Sequence, residues 1–77
     1  MEFVWIIEDF EEYTGGSNLT VCPTEALAKV ILGVFLKEKG WKSIYINPDH
    51  EPKTVVAYWM HKKNGCMKLH KCLFKNI

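Results

Sequence analysis

Asn64-Gly65 stands between two stretches, TVVAYWMHK (54–62) and CMKLHKCLFK (66–75), that are rich in β-branched, aromatic and alternating residues. Asn-Gly is the strongest short-range hairpin signal, because a type I′ turn holds both central residues at positive φ. A two-residue loop here predicts that Lys63 lies opposite Cys66, and the rest of the register follows. Met60 then faces Leu69, Tyr58 faces Lys71 and Val56 faces Leu73. On the other side His61 meets Lys68, Trp59 meets His70, Ala57 meets Cys72 and Val55 meets Phe74. The first set is mostly aliphatic and is expected to pack under a helix. Lys71 is its exception; either its stem snorkels out beside Tyr58 or a bulge shifts the register near it. The second set gathers Trp59, His61, Lys68 and His70 near the turn.

The remaining elements follow from local signals. FVWIIEDF (3–10) reads as a strand, EEYTGGSN (11–18) as a polar turn and NLTVC (18–22) as a short second strand, joined most simply as a hairpin. Thr24 is a good N-cap, and Glu25 follows it where the helix dipole favours an anion. The helix runs to about Lys39, with Lys37 and Lys39 at its C-terminal end and Gly40 as its stop. WKSIYIN (41–47) reads as a third strand and PDHEP (48–52) as a loop. The order is ββαβββ. The fold class is α+β, a single domain over residues 1–77 with an antiparallel sheet of four to five strands and one helix packed on one face.

Seventy-seven residues with 48% hydrophobic content are enough for one small core. No apolar run approaches the roughly 20 residues that span a bilayer, so no membrane association is expected. MEFVWIIEDF lacks a basic n-region and a cleavage site, and does not read as a signal peptide. Three cysteines, Cys22, Cys66 and Cys72, without a CxxC pair argue against a disulfide framework and for a reducing cytoplasmic setting.

TEALAKVILGVFLKEKG (24–40) is apolar round most of its circumference, with Glu25, Lys29, Gly33 and Lys37 as a narrow polar stripe. A helix lying on one sheet needs an apolar face of only about 100°. The excess, assigned to Ala28, Leu32 and Leu36, requires a cover. Either the Trp41 segment and the PDHEP loop fold over it, or it meets a second copy or a target, as a homodimer through the helix would require.

Charge is divided along the chain. Six acids and no base precede residue 29, whereas residues 52–77 carry no acid. Lys62, Lys63, Lys68, Lys71 and Lys75 suit either an acidic protein surface or, through salt-sensitive phosphate contacts, nucleic acid; plain solubility is the simplest alternative. All ten bases are lysine, which removes bidentate arginine readout and ranks nucleic acid lower. The acidic run Glu8, Asp9, Glu11 and Glu12 reads as a solvated hairpin end or a phosphate mimic.

No GxGxxG, P-loop, HExxH or GxSxG is present. Asp49-His50-Glu51 are consecutive, so their side chains diverge, and a solvated loop is expected. His61, His70 and Cys72 fall on one expected face and constitute an alternative zinc trio. His70 has no acid nearby in sequence to orient it. The expectation is no catalytic residue, no metal and no cofactor. The partner-binding surface is expected at Trp59, His61, Lys62, Lys63, Lys68 and His70.

Two stretches, VWIIEDF…GGSNLTVCPTEALAKVIL (4–32) and TVVAYWMHKKNGCMKLHKC (54–72), give the chain a resemblance in pattern to small phage-encoded anti-CRISPR proteins of the type I-F group. The resemblance covers roughly two thirds of the chain and involves no diagnostic motif. It implies a non-enzymatic inhibitor that binds a CRISPR-Cas effector or another host defence protein in the host cytoplasm and obstructs its path for nucleic acid. The chain departs from that pattern in its more apolar helix and its longer, proline-bearing 41–53 segment. The runner-up is a small nucleic-acid-binding module that uses the basic C-terminal hairpin.

Overall fold

The computed structural model describes residues 2–11, 16–40, 43–62 and 65–74 and, of Lys62, the backbone alone. Strands β1 (Glu2–Glu11) and β2 (Gly16–Cys22) precede helix α1 (Glu25–Lys39). Strand β3 (Ile44–Tyr45), a 3-10 turn at Pro48–His50, β4 (Val55–Lys62) and β5 (Gly65–Phe74) follow. The strands form one antiparallel sheet in the order β2-β1-β5-β4-β3, with α1 across one face. The α+β class and the ββαβββ order are those expected. The third strand is shorter than the stretch 41–47 that reads as β; Trp41 and Lys42 lie outside the described residues.

Local chemistry sets the ends of α1. Thr24 Oγ1 accepts from the Leu27 N–H at 3.2 Å, satisfying one of the donors that a helix start leaves free. Gly40 stops the helix at φ 80°, where a side chain would be strained, and its N–H donates to the Leu36 and Lys37 carbonyls. Asn47 caps the 3-10 turn in the same way, its Oδ1 accepting from the Asp49 N–H.

The sheet closes the ends of the chain on each other. β1 pairs with β5 along its whole length, from Glu2 opposite Phe74 to Glu11 opposite Gly65. On the helix side of these strands, Ile7, Met67 and Leu69 meet Cys22, Ala28 and Leu32 in the buried core. Trp5, Ile31, Phe35, Leu36, Ala57 and Trp59 pack around it. Burying a side chain such as Leu32 contributes about 1.5–3 kcal/mol.

The core placement corrects the expected docking face of the helix. Ala28 and Leu32 point into the sheet and Leu36 packs beside them, so none of the three forms an outer face. Lys39 lies on the same side of the helix, its ammonium reaching Asp9 and Glu11 on β1. The residues left facing out are Leu27, Val30 and Val34.

The β4–β5 register also differs from the expected one. Lys62 pairs with Gly65, Met60 with Cys66, Trp59 with Met67, Tyr58 with Lys68 and Ala57 with Leu69. Irregularities at Val56 and His61 each insert one residue into β4. Met60 therefore faces Cys66 where Leu69 was expected. A slip of three positions, being odd, reverses which side chains share a face.

Gly65 has a different role from the one its place in Asn-Gly suggests. Among the described residues only Gly40 has positive φ, so Gly65 is not the left-handed corner of a type I′ turn. It opens β5, and the His61 ring lies directly over it. A Cβ built on Gly65 would stand 2.6 Å from His61 Cε1 and 3.0 Å from its Nδ1. The glycine is required there for space.

Candidate functional site

The two polar clusters of the described residues lie on opposite faces of the sheet. Beneath the C-terminal end of α1, Lys39 Nζ donates to Glu11 Oε1 at 2.7 Å and stands 3.1 Å from Asp9 Oδ2. His61 Nε2 lies 3.2 Å from the other oxygen of Asp9. The His61 side chain is fully covered, and its Nδ1 has no partner among the described residues. The hydrogen bond to Glu11 holds the Lys39 pKa above its ordinary value, against burial, which alone would lower it; Asp9 adds to the rise. Asp9, Glu11 and His61 offer ligand atoms within 4.8 Å of one another, a set suited to a divalent ion. The Lys39 ammonium already stands against both carboxylates, so the cation of this cluster belongs to the chain itself.

On the open face, the imidazole of His70 is held at both nitrogens. Its Nε2 lies 2.9 Å from Glu8 Oε1 and its Nδ1 3.2 Å from Thr54 Oγ1. Ser17 Oγ donates to the second oxygen of Glu8 at 3.3 Å. The sequence reading gave His70 no acid, because residues 52–77 have none. The acid comes from β1, 62 positions away, since Ile6 pairs with His70 and Glu8 with Lys68 on the same side of the sheet. The hydroxyl–imidazole–carboxylate order is the arrangement that can pass a proton from an alcohol to a base.

Lys68 stands beside this group, 3.1 Å from Glu51 Oε1 and 5.0 Å from the centre of the Tyr58 ring. Burial lowers its pKa, but the hydrogen bond and charge of Glu51 outweigh that, and the net direction is upward. Lys71 lies on the helix side, over the rings of Phe3 at 4.3 Å and Trp5 at 6.0 Å. Burial, the largest influence on Cys66, pushes its thiol up and away from thiolate character.

The expected docking surface is therefore divided. Trp59 turns to the helix side, edge-on to Tyr45 at 5.4 Å, and packs against the core. His61 is 4% exposed on the same side. Lys68 and His70 are on the opposite face, both engaged with acids. Lys63 and the Lys62 side chain lie outside the described residues, as does Glu12 of the acidic run. The alternative zinc trio is split too, because His61 and His70 face away from each other.

The charge separation along the sequence closes in space. Acids of β1 meet bases of α1, β4 and β5: Glu8 with His70, Asp9 with His61 and Lys39, and Glu11 with Lys39. Large aliphatic side chains remain uncovered on the open face. Leu19 and Val21 on β2 and Ile44 on β3 are each 64% exposed, and Met60 on β4 is 38% exposed. Leu19 lies opposite Glu8, Val21 opposite Ile6 and Ile44 opposite Met60, which puts all four on the side away from α1.

No protein-family model, curated protein or solved structure matches the chain. No helix among the described residues is long and apolar enough to cross a membrane. The architecture defines a small α+β domain whose described charged groups are largely paired internally and whose sheet leaves one face open.

Proposed function

We propose that this protein acts by stoichiometric binding to another protein, with the open face of the sheet as the contact surface. The exposed aliphatic groups opposite α1 carry this reading. Leu19, Val21, Ile44 and Met60 remain in contact with water, while the nearby His70 and Lys68 are held by Glu8 and Glu51. Such a surface favours a partner with apolar side chains of its own. The resemblance to type I-F anti-CRISPR proteins supplies the partner class, a CRISPR-Cas effector or another host defence protein encountered in the host cytoplasm. The protein would be a phage or mobile-element inhibitor without catalysis of its own. Lys68 is held by Glu51 and Lys71 lies over Phe3 and Trp5 on the other face, so these two lysines do not line one phosphate track, and nucleic acid is the weaker reading.

The test mixes the purified protein with a purified type I-F surveillance complex and follows co-elution and inhibition of DNA binding. Binding that survives 0.5 M salt is expected, because apolar contacts are screened little. The pair Ile44→Lys and Met60→Lys should abolish it without lowering the melting temperature. Absence of binding refutes the proposed partner class, and full binding by the double variant refutes the proposed surface. Mobility shifts of nucleic acid alone that weaken steeply with salt would favour the nucleic-acid module instead.

A further inference from the structure

We propose that the free edge of β2 is continued by the β2 strand of a second copy, giving a two-fold dimer with a ten-stranded sheet and two α1 helices side by side. The inference does not depend on which partner the open face binds. Among the described residues β2 ends the sheet and pairs on one side only, with β1. Its register is regular from Trp5 opposite Cys22 to Glu11 opposite Gly16. Edge strands are ordinarily blunted by a charge, a proline, a bulge or shortness. The seven residues GSNLTVC contain no charge, proline or bulge, and Pro23 lies just beyond their end. The other edge is blunted by shortness, since β3 has two residues.

The helix extends the same wall. α1 lies over β1 and β2. Its Glu25 and Lys29 side faces inward along the sheet, lining a cavity with Trp5, Val56, Ala57, Leu69 and Lys71. At about 100° per residue, Leu27 and Val34 lie on the far flank, above the β2 edge, with Val30 next to them. They are 43%, 51% and 65% exposed, so among the described residues this flank presents three uncovered aliphatic side chains, with Glu38 beside them at its C-terminal end.

A second copy fits better than a foreign segment because the wall is complementary to itself. With the dyad at Thr20, antiparallel pairing sets Leu19 opposite Val21 of the second copy, twice, and Thr20 opposite its own equivalent. Aliphatic and threonine pairs are favourable in such positions, and no charge meets its like. With that dyad the two strands overlap over Asn18–Cys22, five residues or about 17 Å, and the fifteen-residue helix beside them, about 22 Å long, adds its flank to the wall.

Sedimentation velocity and light scattering on the full chain over a hundredfold range of concentration test this, with hydrogen exchange on the same samples. The expected result is twice the 9.0 kDa chain mass, with the outward amides of β2 protected. The pair Leu19→Lys and Val34→Lys, both at exposed positions, should keep the circular dichroism of the wild type and weaken self-association about tenfold or more, since a charge is then buried against Val21 of the second copy and another is set on the apolar helix flank. A wild type that stays monomeric overturns the proposal, as does a dimer that this variant leaves intact. A monomer whose β2 amides gain protection only when an extended peptide is added also overturns it, placing another protein's strand on that edge.

Discussion

Replacing Gly65 with alanine places a methyl group against the His61 ring, and the cost can be worked from the geometry. The new carbon would stand 2.6 Å from Cε1 and 3.0 Å from Nδ1, whereas carbon contacts are comfortable at about 3.5–4.0 Å. The ring cannot swing freely, because its side chain is fully covered and its Nε2 is held by Asp9. Overpacking of this kind costs about 1–3 kcal/mol. Against it, alanine in place of glycine inside a strand ordinarily gains about 0.5–1 kcal/mol. The expected net loss is about 1–2 kcal/mol, a fall in melting temperature on the order of 4–16 °C for a domain this small. The decisive comparison is the same substitution in a His61→Ala background. With the ring gone the methyl group has room, and Gly65→Ala should become neutral or stabilising by about 0.5 kcal/mol. Urea denaturation of the four proteins gives the coupling. If Gly65→Ala costs the same in both backgrounds, Gly65 is needed for its backbone conformation and the steric reasoning is wrong.

Lys39→Met should remove the ammonium that serves both Asp9 and Glu11. Bonds to charged groups contribute about 1.5–3 kcal/mol each, but both carboxylates keep some access to water, so a loss of about 2 kcal/mol at pH 7 is expected in denaturant titration. A raised folded-state pKa for Lys39 means that this contribution is complete below pH 10.5 and disappears as pH climbs through the folded value. The stability gap between wild type and variant should stay constant from pH 7 to 9 and close as pH rises above 10.5; a gap that closes between pH 7 and 9 would contradict it. Leu32→Ala should cost about 2–5 kcal/mol by the same method, as a cavity in a tight core does, and a cost below about 1 kcal/mol would mean that another helix face is inside.

The fold class was legible because its signals are local. Thr24, Glu25 and Gly40 mark the helix within a turn of its ends, and alternation marks the strands. Sheet order was not legible in the same way. Nothing near Glu8 or Asp9 announces that His70 and His61 will be their neighbours, because that contact depends on β1 lying between β2 and β5. The hairpin register failed for a specific reason. Asn64-Gly65 implies Lys63 opposite Cys66, whereas Lys62 pairs with Gly65, two positions off that register, and the pattern of β4 gives no sign of the residue inserted at His61, which adds the third. The odd slip carried Trp59 and His61 to the helix side and divided a surface that had seemed continuous. On α1, the narrow polar stripe left open which apolar residues turn inward, and Ala28 and Leu32 are the ones that meet the sheet.

Which side of the sheet Trp59 occupies decides whether the basic hairpin or the aliphatic open face is available to a partner. A two-dimensional NOESY spectrum of the wild-type protein reads this directly. Cross-peaks from the Trp59 indole to Met67 and Leu36, together with His70 to Thr54, are expected. Cross-peaks joining the Trp59 indole to the His70 imidazole would restore the unbulged register and contradict the arrangement described.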